Sequence, residues 1–260
     1  MVQPGDYIYG RQDEFASPIV IEKYNLIFFL VPGVEEQTWI RLFRRMMGYD
    51  DWQTSSSLDG LVRLYHYSVS RASKLMTDPG YVRAIFVRDP KERISAAFEN
   101  ENTKNQCCIR STHKESCWKM LSHFGQFLDL IHGCDQPHWR PQGKRMEPKY
   151  FETLNFVGHM DTLKEDANRL LTLIGAWDKY GTEGWSSTTT TSSSSSGTSS
   201  EIFANRSFHH VTQEGYKFPG MTKCYGEVAV DYFYRSDYSN PKLNLTIVPS
   251  AQCHGLSLTY

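Results

Sequence analysis

The chain has 260 residues, with 28 Lys and Arg against 29 Asp and Glu, a net charge of -1 and six cysteines. It is long enough to bury one substantial core. The charge balance excludes the pervasive basic surface of a nucleic-acid binder, and no apolar run is long enough to cross a membrane, so no membrane contact is expected for the residues present.

Residues 1–25 carry turn signals at Pro4-Gly5 and Ser17-Pro18, show no charged-then-apolar leader, and offer 19–21 as a short strand. The stretch 25–48, NLIFFLVPGVEEQTWIRLFRRMMG, changes period halfway. Its apolar run at 26–31 is too short to span a membrane and too apolar for an exposed strand, so it predicts a buried strand of a parallel sheet. Pro32 and Gly33 end that strand. From Thr38 onward Trp39, Leu42, Phe43, Met46 and Met47 recur on one helical face and Arg41, Arg44 and Arg45 on another, until Gly48 stops the helix. A buried strand feeding a short loop and then a helix aims free N–H groups and the positive helix end at one point, which suits phosphate.

Residues 49–59 are polar and turn-like, 61–67 read as a strand or an irregular segment, and 70–76 as a short helix stopped by Asp78-Pro79-Gly80. The stretch 81–102, YVRAIFVRDPKERISAAFENEN, repeats the earlier pattern. A strand at 84–87 leads through Arg88-Asp89 into a helix with Pro90 in its first turn and Ile94, Ala97 and Phe98 facing inward. Two such repeats in one sheet predict two anion sites at the carboxyl edge of the strands. An arginine directly after a buried strand is well placed for phosphate. The alternative is that Arg88 and Arg93 pair with Asp89 and Glu92 at a solvated helix start.

Cys107, Cys108, Cys117 and Cys134 crowd into a short segment without the spacing of a metal site, so disulfides are expected and metal is not. The sequons at Asn205 and Asn244 agree with a lumenal or extracellular setting. Residues 118–132 predict one helix with Trp118, Leu121, Phe124, Leu128 and Ile131 on its inner face. The Pro- and Gly-rich 136–148 is irregular and carries His138, a candidate base because imidazole titrates near neutrality; the alternative is a surface His beside a packed Trp139. A third strand at 155–159 runs into a helix with Thr162 and Glu165 at capping-box spacing and Leu163, Ala167, Leu170, Leu171 and Ile174 as its stripe. Residues 186–200, Ser or Thr apart from Gly197, predict a disordered surface loop. A helix is expected at 225–235, then an irregular tail.

Taken in order, LIFFLVPGVEEQTWIRLFRRMMGYDDW, AIFVRDPKERISAAFE, CDQPHWRPQ, FVGHMDTLKEDANRLL and FYRSDYSNPKLNLT resemble the Golgi carbohydrate sulfotransferases of the chondroitin and HNK-1 type over roughly residues 17–248. The resemblance implies a single α/β domain over 1–260, a P-loop-kinase-like three-layer fold with a central, mainly parallel sheet flanked by helices. It implies transfer of a sulfuryl group from 3′-phosphoadenosine 5′-phosphosulfate (PAPS) to a hydroxyl of a glycan acceptor, without metal or nucleic acid. It also implies residence in the Golgi lumen, with a membrane anchor expected outside the residues given. Carried over residue by residue, Pro32, Gly33, Thr38, Trp39 and Arg41 would meet the 5′-phosphosulfate and Arg88, Arg93 and Ser95 the 3′-phosphate. His138 would be the general base, with His159 the alternative, and Arg140 would meet the acceptor. The chain departs from the pattern at Gly33, where the family has Lys, at Glu35 and Glu36, where small or thiol residues are usual, and at Ala96, where Ser is usual and Ser95 stands one place early. Those departures support a second expectation, a catalytically impaired lumenal module that binds glycans or partners.

Overall fold

The computed structural model describes residues 1–100, 108, 114–185, 201–204 and 223–247. Four strands form one sheet in the order β1-β2-β3-β4. β1 (Ile19–Ile21) runs antiparallel to β2 (Leu26–Phe29), with Ile19 opposite Phe28. β2 runs parallel to β3 (Val82–Val87), with Leu26 opposite Val82 and Phe29 opposite Ile85, and β4 (Phe156–His159) completes the sheet. The helices among the described residues are α1 (Glu36–Met47), α2 (Val69–Thr77), α3 (Pro90–Glu99), α4 (Lys114–Met120), α5 (Phe124–Gly133), α6 (Pro148–Phe151), α7 (Leu163–Leu173), α8 (Trp177–Tyr180), α9 (Lys223–Phe233) and α10 (Arg235–Tyr238). The fold is α/β with a mainly parallel sheet, as expected. The chain divides into two compact units.

The first unit comprises Met1–Leu30, Glu35–Phe86 and Thr153–Phe208. β2 and the 84–87 part of β3 are buried on both faces, which is why they read as apolar runs, whereas β4 alternates between buried and partly exposed residues. Trp39 is fully buried against Phe28, Phe86 and Phe203, with ring centroids 4.8, 4.5 and 5.1 Å away. Gly158 exists for the same packing, because a Cβ there would stand 2.3 Å from the Phe86 ring. Arg44 does not join a solvated face. It is buried, meets Asp51 with two nitrogens at 2.6 Å and 3.1 Å from Oδ1, and donates to the carbonyls of Ser57 and Asp59. Residues 61–67 are not a strand: they form a 3₁₀ turn at Leu64–His66 and pair with β1 through an isolated bridge from Arg63 to Ile19. The capping box expected at α7 is replaced: the Thr162 hydroxyl donates to Asp166, one residue beyond Glu165, at 2.7 Å.

The second unit comprises Val31–Val34, Val87–Glu152 and His209–Tyr260. Ile94, Phe98, Phe124, Phe127, Trp139 and Tyr234 anchor its core. The single helix expected at 118–132 is two, because the Ser122 hydroxyl donates to the Lys119 carbonyl at 2.7 Å and His123 is extended. That break turns Trp118 outward, 49% exposed, instead of onto the inner face. Cys108 and Cys117 form a disulfide, and Cys134 and Cys224 are also disulfide-bonded, as the cysteine cluster led one to expect. Residues 186–200 and Asn205 lie outside the described residues; Asn244 is described and exposed.

Candidate functional site

In the second unit the chain from Val31 to Val34 meets the segment that leaves β3. Arg88 stands at that exit, partly exposed. Its Nε donates to Glu92 at 3.2 Å and its Nη1 to the Gly33 carbonyl at 3.3 Å. The pairing with Glu92 expected of a helix start is therefore present, yet the same guanidinium also reaches the first loop.

Arg93 lies deeper, 1% exposed. Its Nε donates to the Pro32 carbonyl at 2.9 Å, Nη1 to the Arg140 carbonyl at 2.8 Å and Nη2 to the Pro137 carbonyl at 2.7 Å. A buried guanidinium satisfied by three carbonyls ties two loops together and is poorly placed to meet a ligand directly. Pro32, Gly33, Arg88, Arg93, His138 and Arg140 are thus gathered in one unit, although they come from three segments of sequence. Gly33 has φ +81°, and a Cβ on it would stand 3.3 Å from Cγ of Arg93. The position expected to carry Lys is filled by backbone in the left-handed region and by the stem of Arg93.

Burial, with the positive charges of Arg93 and Arg145, pushes His138 down to about 4, so its imidazole is neutral at physiological pH. Arg140 is held by Asp135, with Nε and Nη2 each 2.7 Å from its carboxylate. Ser95 Oγ is buried and without a hydrogen-bond partner among the described residues.

Local reading of the sequence missed the residues that brace this half. Gln142, fully buried, accepts the Arg88 N–H at 2.9 Å through Oε1 and donates through Nε2 to the Arg88 carbonyl at 2.8 Å. Asp237 accepts the N–H groups of Gln142 at 2.9 Å and Gly143 at 2.7 Å. Burial raises the Asp237 carboxyl pKa against the lowering by those donors. The Tyr234 hydroxyl donates to the Trp139 carbonyl at 2.7 Å. The helix expected at 225–235 covers Tyr234 but stops short of Asp237, which no periodicity marks.

In the first unit Glu35 precedes α1 in the left-handed region, φ 53°, and makes no side-chain cap. Its carboxylate accepts the Thr38 hydroxyl at 2.8 Å. Trp39, expected at the phosphosulfate, belongs to the aromatic core described above. Arg41 is half-buried, and its Nε has no hydrogen-bond partner among the described residues. His159 ends β4 with its N–H donated to Asp166 at 2.9 Å. Among the described residues no group of His, Cys, Asp and Glu is arranged to hold a metal ion.

Within the second unit, Arg88 and Arg93 both reach the carbonyls of the Pro32-Gly33 loop, so two arginines meet at one stretch of backbone. Residues 17–218 match the Sulfotransferase family, and the chain belongs to that family. It is 31% identical to human carbohydrate sulfotransferase 9 over 115 residues, 37% of this chain and 26% of that protein. It is 26% identical to carbohydrate sulfotransferase 11 of Rattus norvegicus and of Mus musculus over 227 residues, 75% of this chain and 62% of those proteins. The chain therefore spans less than two thirds of the length of these relatives. No solved structure matches it.

Proposed function

We propose that this chain transfers a sulfuryl group from PAPS to a hydroxyl of a glycan acceptor in the Golgi lumen. The observation that carries the reading is the knot made by Arg93, which holds the first loop and the His138 loop together in a member of the Sulfotransferase family. The donor supplies an activated sulfuryl group, and such a transfer asks the protein chiefly for positioning and positive potential.

Arg88 is the cation assigned to the 3′-phosphate, and Thr38 and Arg41 are assigned to the 5′ end. Ser95 Oγ, buried and without a hydrogen-bond partner among the described residues, is assigned with Arg88 to the 3′-phosphate. Arg93 positions the loops, and Trp39 anchors α1. His138 takes the proton of the acceptor hydroxyl as that oxygen bonds to sulfur and the bond from sulfur to the nucleotide phosphate oxygen breaks. The base must be neutral to take this proton, as His138 is, but the burial and the arginines that keep it neutral also weaken it as a base. His159 is the alternative base, and Arg140 is assigned to the acceptor. The Cys108–Cys117 disulfide supports a lumenal setting.

The test is calorimetry with adenosine 3′,5′-bisphosphate, the nucleotide product, followed by transfer of labelled sulfate to a glycan. Weak binding and measurable transfer are expected. No binding at millimolar nucleotide overturns the reading.

The Glu35–Thr38 hydrogen bond favours a second reading, a catalytically impaired fold member that binds a glycan or a partner in the lumen. A carboxylate about 4 Å from a phosphosulfate oxygen would oppose binding by about 4 kcal/mol at an effective dielectric near 20. If that reading holds, the wild type transfers no sulfate and Glu35→Ser gains transfer. Wild-type activity on a glycan refutes it.

A further inference from the structure

Gln142 is an unusual connector. Its side-chain amide grips one peptide unit on each side of Arg88, accepting the N–H at 2.9 Å and donating to the carbonyl at 2.8 Å, as a neighbouring strand would. This happens immediately beyond β3, where strand pairing has ended and the backbone would otherwise be free to turn. The amide is fixed in turn from below. Asp237, 0% exposed, accepts the Gln142 N–H at 2.9 Å, its Nε2 at 3.3 Å and the Gly143 N–H at 2.7 Å. Gly143 is needed there because a Cβ would stand 2.7 Å from the Ser236 carbonyl oxygen. A buried carboxylate satisfied by three donors has one orientation, so it also fixes which way the Gln142 amide faces.

We propose that Asp237, acting through Gln142, is a positioning residue for Arg88: it fixes the peptide from which the Arg88 guanidinium reaches the Gly33 carbonyl, and so sets where that cation meets an anionic ligand. The inference rests on the assignment of Arg88 to the nucleotide given above. Neither Gln142 nor Asp237 touches the ligand in this scheme. Misplacement of a binding group by even about 1 Å costs on the order of a hundredfold where orientation matters, so a loosened Arg88 is expected to weaken nucleotide binding about tenfold or more.

The experiment compares wild type, Gln142→Met and Asp237→Asn by amide hydrogen exchange at Arg88 and by calorimetric titration with adenosine 3′,5′-bisphosphate. Gln142→Met keeps the volume and removes all three side-chain hydrogen bonds, to Arg88 and to Asp237; Asp237→Asn keeps the shape and removes the charge, so one folded variant suffices. The expected result is faster exchange at Arg88, with amides of β2 unchanged, and nucleotide affinity lowered about tenfold in Gln142→Met and by less in Asp237→Asn. Unchanged exchange at Arg88 in a folded Gln142→Met overturns the relay, as does unchanged affinity where the wild type binds. Wild type that binds no nucleotide overturns the functional reading instead, and the claim about the Arg88 peptide is then decided by exchange alone.

Discussion

The two strand–loop–helix repeats look alike in sequence and end differently in structure. At α3 the start is closed: Pro90 occupies the first turn, and Asp89 Oδ1 accepts the N–H groups of Lys91 at 2.7 Å and Glu92 at 3.2 Å. At α1 the residue before the helix is Glu35, in the left-handed region, with its carboxylate turned to the Thr38 hydroxyl and away from any cap. A capped helix start has spent its donors, so in the proposed function the second repeat has the Arg88 side chain to offer to an anion and not its helix start. At the first repeat the N–H groups are not consumed by a side-chain cap, but an acidic group stands beside them. The same topology thus yields one helix start closed by a side-chain cap and another without one.

The largest expected effect tests what anchors the first repeat. Trp39→Ala should cost about 3–5 kcal/mol in urea unfolding, because it empties a fully buried aromatic site. A cost below about 1 kcal/mol would return Trp39 to a surface role at the ligand.

Next comes the loop tied to the second repeat. His138 sits at about 4 when folded, against about 6.5 in an unfolded chain. Between those values the unfolded chain binds the extra proton, so stability rises with pH. The contribution is complete above pH 6.5 and is lost as pH falls towards 4, about 3 kcal/mol in all. His138→Gln should flatten that part of the stability profile; an unchanged slope between pH 4 and 6.5 would show that His138 is not shielded.

Gly33→Lys tests whether the first loop can take the lysine that the resemblance implies at this position. The left-handed backbone and the nearby stem of Arg93 predict a loss of about 1–2 kcal/mol and no gain in nucleotide affinity, measured by thermal unfolding and calorimetry. Gained affinity without loss of stability would show that the loop readily rearranges.

The smallest effects, opposite in sign, separate the helix starts themselves. Asp89→Ala should destabilise by about 1 kcal/mol through the lost cap, whereas Glu35→Gly should be neutral or stabilise by up to about 1 kcal/mol by relieving a left-handed residue. Equal destabilisation by both would mean that Glu35 holds its helix as Asp89 does.

Much of this was legible in the chain itself. The apolar runs at 26–31 and 84–87 gave β2 and β3, helical spacing gave α1 and α7, and the order of the segments pointed to the family, because burial on both faces of a parallel strand and on one face of a helix writes a local pattern. The same patterns could not say that Arg93 is a clamp while Arg88 is partly open, since both are arginines near one helix start. They could not show Gln142 and Asp237 together, because those residues lie 95 positions apart and meet through hydrogen bonds that leave no period in the sequence. They missed the break between α4 and α5, where one serine hydroxyl outweighed a continuous apolar stripe. Local chemistry set the strands, helices and loops of this protein. Only the tertiary structure decided which charged groups are spent on backbone carbonyls and which stay partly exposed, because a buried charge must find its partners wherever the fold brings them.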